Sequence, residues 1–347
     1  MQKIIVFING LVAVATLFAY LAGYVNPETI NVFGIFGIFY PILFALNIFF
    51  ILFWLIVNPK YITISILVIL LGINHIQRHI GTKNSETADS NMHAIQLMSM
   101  NMNLGKFIHD RNQSKQKILQ KEFLKDIDLK SLDVLCLQEA NKFPEEFFSK
   151  HLPEYANTVK PGLIDLIYSK YPIINSGKIE LKLHYNSCAW ADIQFPGKII
   201  RVYSVHLHSN KISSHTNKIL EENGLEDKQA WADIKYIWSN YNIAAKERVK
   251  EIRMIQKHYK ESPYPVILAG DFNDTPESYI YNQISADLQD VFVNAAGGLG
   301  YSYAGAIPLL RIDFTFIDPS LKALNHRVVR KKYSDHYPII STIGIAN

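Results

Sequence analysis

Charged residues are almost absent from the N-terminal part of the chain. Residues 4–57 contain no Asp, Arg or Lys, and Glu28 is their single acidic residue. The rest of the 347-residue sequence has the mixed composition of a globular protein. The length allows about two domains. This division therefore indicates an apolar N-terminal segment that is followed by a globular part.

Cysteine and net charge are also scarce. Two cysteines, Cys136 and Cys188, cannot form a disulfide framework. Cys136 lies in an apolar run, which favours a buried and inert thiol over a bridge or a reactive group. The formal net charge of +4 is too small to indicate or to exclude a polyanionic partner.

Three uncharged runs, at residues 4–25, 30–57 and 61–76, fill the N-terminal segment. A helix needs about 20 apolar residues to cross the hydrocarbon core of a bilayer, so the first two runs predict transmembrane helices. The first run lacks the small-residue cleavage pattern of a signal peptide. The third run is shorter, and both a third span and a helix at the membrane interface stay open. We predict an integral, multi-pass membrane protein that contacts the lipid bilayer.

The number of spans decides the side of the membrane on which the globular part lies. Two spans return the chain to its starting side, whereas three do not. Lys3 and Lys60 on one side would balance Arg78 and Lys83 on the other, so the positive-inside rule does not choose an orientation. Three spans with a cytoplasmic N-terminus would favour an extracytoplasmic globular domain, and the side is left undetermined.

We predict a transmembrane anchor at residues 1–80, a polar linker at 81–92 and a globular domain at 93–347. Short apolar strands alternate with helical segments in this domain, and many strands with flanking helices indicate the α/β class with two packed sheets. The predicted strands cover residues 94–100, 133–138, 165–169, 189–194, 199–205, 266–269, 312–317 and 339–343. The predicted helices cover residues 115–126 and most of 216–260.

Acidic and imidazole side chains recur where the apolar strands end. A single acid after a strand is usually a helix cap or a solvated loop residue, but five such strand ends favour one shared site. The residues at these ends are Glu139, His206, His208, Asp271, Asn273, Asp313, Asp335 and His336.

Six short elements occur in one order along the globular part. They are Ser99-x-Asn101, Leu137-Gln138-Glu139, Val205-His206-Leu207, Gly270-Asp271-Phe272-Asn273, Ile312-Asp313 and Ser334-Asp335-His336. Together they resemble the endonuclease/exonuclease/phosphatase superfamily, which includes DNase I-like nucleases, abasic-site endonucleases, inositol polyphosphate phosphatases and neutral sphingomyelinases. The resemblance runs from about residue 93 to the C-terminus. It implies a four-layer α/β sandwich of the DNase I-like type, here preceded by an all-α transmembrane segment.

The resemblance also implies an enzyme that hydrolyses a phosphodiester or phosphomonoester with a divalent cation. Glu139 would be the principal metal ligand, and Asn101 and Asp335 would lie in or beside the same coordination shell. Mg²⁺ is the expected ion and Mn²⁺ an accepted substitute, because hard cations prefer oxygen ligands.

Five residues would carry the catalytic roles that the resemblance implies. Asp271 would orient or deprotonate the attacking water, and Asn273 would hold Asp271 or donate to the phosphate. His206 and His336 would donate to the phosphate in the transition state. Asp313 would pair with His336 and favour its protonated form.

Three further residues are candidates for substrate contact. Asn103 follows Asn101 at a spacing of two residues and could instead support the metal ligands. His208 would face the same side as His206 on a continuing strand, and a loop hydrogen bond is an equal alternative. Arg311 could bind a phosphate or could be an exposed surface residue.

The fold does not name the substrate. Membrane tethering favours a lipid or a small phosphoester, and a metal-dependent nuclease is the alternative enzyme. A non-catalytic membrane scaffold is the alternative from another class, although all six elements retain their acids and imidazoles. The sequence indicates no protein partner.

Overall fold

The computed structural model describes residues 1–89, 91–109, 112–152, 157–160, 164–181, 187–210, 228–305 and 307–346, with the backbone only at 228–234. The chain forms two compact units. The first contains Met1–Ile80, Asn210–Val249 and Asp274–Gln283, and the second contains Gly81–Ser209, Lys250–Asn273 and Ile284–Asn347. The sequence did not indicate that two later segments belong with the N-terminal residues.

Five helices form the N-terminal part of the first unit. They are α1 (Gln2–Ala22), α2 (Gly34–Ile38), α3 (Tyr40–Val57), α4 (Ile62–Leu71) and α5 (Ile73–Gln77), with a 3₁₀ turn at Pro59–Tyr61. Two of them, α1 and α3, are long and apolar enough to cross a membrane.

The second and third apolar runs do not form single helices as predicted. The second run divides at Phe39, because Pro41 lies in the first turn of α3, where a missing backbone N–H costs nothing. The third run divides at Gly72, where α4 ends. A Cβ atom on Gly72 would lie 2.0 Å from the hydroxyl oxygen of Tyr20, so glycine is needed for this approach of the chain.

Several polar side chains lie inside the helical part of the first unit, and many large apolar side chains are exposed on its outer faces. Asn9 Nδ2 on α1 donates to Ser65 Oγ on α4 at 2.8 Å, and Trp54 Nε1 on α3 donates to Asn9 Oδ1 at 2.9 Å. Asn47 Nδ2 donates to Thr16 Oγ1 at 2.9 Å. All five side chains are buried. Large exposed apolar residues cover the outer faces of α1 and α3, for example Phe7, Leu11, Phe49, Leu52 and Ile56.

The second unit contains two six-stranded sheets. The first has the order β10-β12-β9-β8-β7-β6 and the second has the order β13-β14-β2-β3-β5-β4. The strands of the first sheet are β6 (Ile173–Ile179), β7 (Ser187–Phe195), β8 (Lys198–His206), β9 (Val266–Asp271), β10 (Gln289–Asp290) and β12 (Asp313–Ile317). Those of the second are β2 (Met92–Asn101), β3 (Val134–Gln138), β4 (Asn157–Val159), β5 (Leu166–Ser169), β13 (Lys322–Val328) and β14 (Ile339–Ala346).

Helices cover the outer faces of the two sheets. The remaining helices are α6 (Gln113–Asp126), α7 (Lys142–His151), α8 (Lys228–Lys260), α9 (Tyr279–Ser285) and α10 (Val291–Ala295). One apolar core joins the facing sides of the sheets, with Val134 and Ile167 from one and Val202 and Ile267 from the other. A second core places Phe123 of α6 and Phe148 of α7 against the outer side of the second sheet.

The C-terminal end of α8, which belongs to the second unit, packs on the first sheet, where Tyr203 of β8 hydrogen-bonds His258 at 2.8 Å. Helix, sheet, sheet and helix therefore follow one another, and the predicted four-layer α/β sandwich is confirmed. Residues 216–227 of the predicted long helix lie outside the described residues. The remaining strands, β1 (Ile80–Thr82) and β11 (Gly297–Leu299), form a two-stranded sheet. The predicted linker is therefore partly a strand.

Candidate active site

Strand register brings the predicted residues together at one edge of the two sheets. In the first sheet, His206 at the end of β8 lies opposite Asp271 on β9, and Asp271 lies opposite Asp313 on β12. In the second sheet, Asn101 at the end of β2 lies opposite Gln138, the residue before Glu139. Both parallel pairs, β2–β3 and β8–β9, end at this edge, which is why acids after distant strands meet there.

Asp271 receives most of the hydrogen bonds in this cluster. Asn101 Nδ2 and Asn273 Nδ2 each donate to Asp271 Oδ2 at 3.1 Å, and the Asn273 backbone N–H donates to Asp271 Oδ1 at 2.8 Å. A Cβ atom on Gly270 would lie 2.0 Å from the carbonyl oxygen of Val205, so only glycine allows this approach of β9 to β8. Burial of the carboxyl group raises the pKa of Asp271.

His336 lies between two carboxylates. Its Nδ1 is 3.0 Å from Asp313 Oδ2, and its Nε2 is 3.6 Å from Asp271 Oδ2. Burial alone would lower the pKa of His336, but the charges of Asp313 and Asp271 raise it to about 10. The imidazole is therefore protonated at neutral pH, and it is a hydrogen-bond donor at both nitrogens.

His206 occupies the position between Glu139 and Asp271. Its Nε2 lies 3.6 Å from Glu139 Oε1 and 3.9 Å from Asp271 Oδ2. The histidine is almost completely buried, whereas the Glu139 side chain keeps 29% of its surface exposed. Glu139 therefore connects the buried cluster to solvent, as a group that meets a substrate or an ion must.

A chain of hydrogen bonds continues from Glu139 to Asp335. Asn101 Nδ2 donates to Glu139 Oε1 at 3.1 Å, and Asn101 Oδ1 accepts from the Asn103 backbone N–H at 3.0 Å. Asn103 Nδ2 then donates to Asp335 Oδ1 at 2.8 Å. Glu139 (φ 49°) and Asn103 (φ 45°) both have left-handed backbones, a strained conformation that concentrates at functional sites.

Most of the chain matches a known protein family. A sequence model of the Endonuclease/Exonuclease/phosphatase family matches residues 98–336, which is more than half of the chain. The chain belongs to this family. Residues 2–79 match a separate model described as a Domain of unknown function (DUF8431). No curated protein matches the sequence significantly.

Solved structures of family members share the fold. An endonuclease/exonuclease/phosphatase family protein from Bacteroides thetaiotaomicron is 17% identical, with a TM-score of 0.53 over 73% of this chain and 98% of its own. A D. rerio TDP2 humanized by 14 mutations is 19% identical, with a TM-score of 0.51 over 72% and 98%. The B. thetaiotaomicron mannosyl-6-phosphatase is 15% identical, with a TM-score of 0.51 over 72% and 99%. The family is one of phosphoester hydrolases.

Family enzymes use divalent metal ions, and two groups of side chains could hold one. Asp271, Asp313 and His336 place ligand atoms within 4.8 Å of one another. A cation in this group would have to displace the proton that the charges of Asp313 and Asp271 favour on His336. Glu139 and Asp335, with the amide oxygen of Asn101, are the oxygen donors that Mg²⁺ prefers. The chemistry of this second group fits the expected ion.

Asp165 was not predicted from the sequence as a site residue. It is completely buried, and within the described part of the chain neither of its carboxyl oxygens has a hydrogen-bond partner. Burial and then the charge of Glu139 raise the pKa of Asp165 well above its usual range. A second carboxyl group close to Glu139 also fits a cation site. Asp165 precedes β5, and β5 runs antiparallel to β3, so its beginning lies beside the end of β3.

The three candidates for substrate contact have different surroundings. Asn103 joins the hydrogen-bond chain to Asp335. The expectation for His208 assumed a continuing strand, but β8 ends at His206, and the His208 backbone N–H donates to Glu251. Arg311 is neither at the site mouth nor on the surface: it is 1% exposed, forms a buried ion pair with Asp290 and stacks on Phe292.

Proposed function

We propose that this protein is a membrane-tethered, divalent-metal-dependent phosphoesterase that hydrolyses a phosphodiester or phosphomonoester by attack of water. The observation that carries the proposal is the buried cluster of Asp271, His336, Asp313 and His206 beside the partly exposed Glu139. A buried carboxylate, a protonated imidazole and an oxygen-rich ligand group can supply the base, the charged donor and the metal ligands for phosphoester hydrolysis.

Asp271 acts as the base in this proposal. Its raised pKa makes it a better proton acceptor than an ordinary carboxylate, since a base is most effective when its pKa approaches the working pH. Asn101 and Asn273 fix the carboxylate by donating to Oδ2. Asp271 therefore orients the attacking water and takes its proton.

The two histidines bind the phosphoryl group. His336 is kept protonated by Asp313 and Asp271, and it donates a charge-assisted hydrogen bond to a phosphoryl oxygen. His206, whose Nε2 lies 3.9 Å from Asp271 Oδ2, is the second donor to the phosphoryl group. Extra negative charge on the phosphoryl oxygens in the transition state strengthens both hydrogen bonds, and so lowers the barrier.

Glu139, Asn101 and Asp335 would hold the divalent ion, Mg²⁺ or Mn²⁺. When bound, such an ion polarises the phosphoryl group and neutralises its charge. The hydrogen bonds Asn101–Glu139 and Asn103–Asp335 orient these ligands before any ion binds.

The distribution of polarity in the first unit supports the membrane tether. The apolar surfaces of α1 and α3 are largely exposed, and the polar Asn9, Thr16 and Asn47 are buried between helices. In water this arrangement exposes apolar surface at high cost, whereas in a bilayer the apolar surface meets lipid and the polar side chains face one another. We propose that α1 and α3 span the membrane as a multi-pass anchor. A reporter fused to the C-terminus would determine on which side the catalytic domain lies.

The substrate is proposed to be a lipid or a small phosphoester. The basic residues Arg330, Lys331 and Lys332 are exposed and end two positions before the Ser334-Asp335-His336 element, which favours an anionic substrate. A cavity of about 370 Å³ lies beside them, lined by Tyr301, Arg327 and Arg330 among others. A nuclease is the second candidate, because a basic surface also binds a nucleic-acid backbone. D. rerio TDP2, a structural relative, has been crystallised with single-strand DNA product.

The experiment that tests the proposal uses the full chain in lipid nanodiscs. Plasmid DNA, a single-stranded oligonucleotide, p-nitrophenyl phosphate, bis-p-nitrophenyl phosphate and phospholipid vesicles would be compared with Mg²⁺ or with EDTA. We expect Mg²⁺-dependent release of product from the lipid or a small ester, and at least about 100-fold slower release with the Asp271→Asn variant. Preferential cleavage of DNA would select the nuclease. No hydrolysis of any substrate would favour a non-catalytic scaffold and overturn the proposal.

A further inference from the structure

The segment Asp274–Gln283 belongs to the first unit, together with the N-terminal helices. Asp274 directly follows Asn273 in the chain, and Asn273 holds the carboxylate of Asp271. The N-terminal residues 2–79 match a domain of unknown function. The contacts of this segment therefore indicate whether the N-terminal domain holds the part of the chain that continues from the candidate site.

Glu277 forms the central contact of the segment. It is completely buried, hydrogen-bonded to His75 Nδ1 by one carboxylate oxygen and to His79 Nε2 by the other, the latter at 3.1 Å. Burial alone would raise the pKa of Glu277, but the hydrogen bonds and charges of the two histidines lower it to about 2. The carboxylate is therefore ionised inside the unit, and its only described ion-pair partners are on or just after α5.

Backbone groups add to this contact on both sides. Arg78 Nη1 donates to the carbonyl oxygen of Pro276 at 2.9 Å. Thr275 Oγ1 donates to the carbonyl oxygen of Gly37 at 3.3 Å, and Asn282 Nδ2 donates to that of Gly23 at 2.9 Å. These bonds connect the segment to the ends of α1, α2 and α5.

Two glycines allow the segment to approach this closely. A Cβ atom on Gly23 would lie 2.5 Å from Asn282 Nδ2, and one on Gly37 would lie 3.1 Å from Glu277 Cβ. The first distance is too short for any other residue without movement. The helices thus present small residues where the segment lies against them.

The first residue of the segment is held by α8. Arg248 Nη2 and Nε donate to Asp274 Oδ2 at 2.8 and 3.1 Å, and Tyr241 donates to Asp274 Oδ1 at 3.3 Å. Arg248 is 0% exposed and Asp274 is 4% exposed. Fixed contacts therefore begin at the residue that follows Asn273.

We propose that the N-terminal domain is a positioning scaffold as well as a membrane tether. Through Glu277 it holds the segment Asp274–Gln283, and through the chain continuity at Asn273–Asp274 it fixes the backbone that presents Asp271 to the substrate. Glu277 is a positioning residue in this proposal. The inference rests on the proposed function only where activity is measured. The ordering of the segment can be measured without substrate.

The test measures hydrogen–deuterium exchange of backbone amides in the full chain in nanodiscs. Glu277→Gln keeps the size of the side chain and removes its charge, and Glu261→Gln is a matched control at an exposed glutamate. We expect at least tenfold faster exchange in residues 274–283 and in the Asn273 amide for Glu277→Gln, with no change in the control. His79→Gln, a milder change at a less buried partner, should show the same effect more weakly.

Activity provides the second readout. We expect Glu277→Gln to lower kcat at least tenfold and to leave KM within about threefold, because it disturbs the backbone of the base and leaves the phosphate donors in place. Wild-type exchange rates in Glu277→Gln and His79→Gln would overturn the proposal. Faster exchange in residues 274–283 with unchanged Asn273 exchange and unchanged kcat would overturn it too. An inactive wild type would contradict the proposed function, while the exchange result would still decide the scaffold role.

Discussion

The carboxylate of Asp271 is buried, yet it accepts three hydrogen bonds and lies within 4 Å of two imidazoles. It contacts residues of both sheets, because Asn101 comes from the second sheet and His206 from the first. At the scale of single residues, therefore, the proposed chemistry depends most strongly on this one group.

Asp271→Asn is expected to lower kcat/KM by roughly 10²- to 10⁴-fold, the range that a general base contributes. The amide is the same size but accepts no proton, so circular dichroism and melting temperature should stay close to wild type. Activity against the best substrate, measured with saturating Mg²⁺, checks the prediction. Retention of more than a tenth of wild-type activity would contradict it.

Asp313→Asn should be less harmful than Asp271→Asn. Asp313 acts through His336 by accepting from Nδ1, and loss of such a supporting partner typically costs on the order of 10- to 100-fold. The same assay on Asp271→Asn, Asp313→Asn and His336→Gln gives the order of effects. A fully active Asp313→Asn would remove its role.

His326 should make the protein less stable in acid. Burial and the charge of Arg311 lower the pKa of His326 to about 3, so the folded chain resists a proton that the unfolded chain binds near pH 6.5. The resulting stability is complete above pH 6.5 and is lost as the pH falls towards 3. Between pH 7.5 and 5.5 the free energy of unfolding should drop by about 1.4 kcal/mol more in wild type than in His326→Gln. Equal drops in denaturant titrations of both proteins would show that this pKa is wrong.

At the scale of elements, the helices of the first unit are joined by hydrogen bonds between polar side chains. Asn9 is the centre of one set, since it donates to Ser65 and accepts from Trp54. Such bonds specify which faces of α1, α3 and α4 meet, because apolar contacts in a bilayer are not selective.

Asn9→Ala is expected to destabilise the protein in nanodiscs by about 1 kcal/mol, since Trp54 and Ser65 lose their shared partner. Val14→Ala is the control on the same helix, because Val14 is 47% exposed. Thermal unfolding followed by tryptophan fluorescence compares the two. A larger effect for Val14→Ala than for Asn9→Ala would mean that the faces of α1 are reversed.

The elements also show what the sequence could and could not predict. Glu139, His206 and Asp271 were found because apolar strands deliver them at their carboxyl ends, which meet at one edge. Asp165 precedes its strand, and the antiparallel pairing that brings it to the same edge leaves no local pattern. The sequence did not predict the buried ion pair of Arg311, because its partner Asp290 is distant in sequence. Local patterns predict strands and their ends, whereas pairing across the chain needs coordinates.

At the scale of the whole molecule, the first unit is discontinuous in sequence. Glu277 and His75 are separated by 202 residues, so neither is informative without the other. The sequence predicts an anchor and a separate catalytic domain. This division stays a prediction, because the first unit also contains later residues such as Glu277.

A chain of residues 85–347 alone should be poorly soluble and at least tenfold less active than the full protein. Removing the helices exposes Glu277, Thr275 and Asn282 without their partners. Coexpressed fragments 1–84 and 85–347 should copurify from detergent, because these bonds do not need an unbroken chain. A fragment 85–347 that is soluble and fully active when fused to an unrelated transmembrane helix would contradict this expectation.

The discontinuity also constrains how the protein is made. During translation, His75 and His79 leave the ribosome roughly 200 residues before Glu277, which takes about 10 to 40 s at 5 to 20 residues per second. The helices must therefore form and wait with both imidazoles solvated. The nascent unit closes only when residues 274–283 have emerged, so its last assembly step and the completion of β9 fall at the same moment of synthesis.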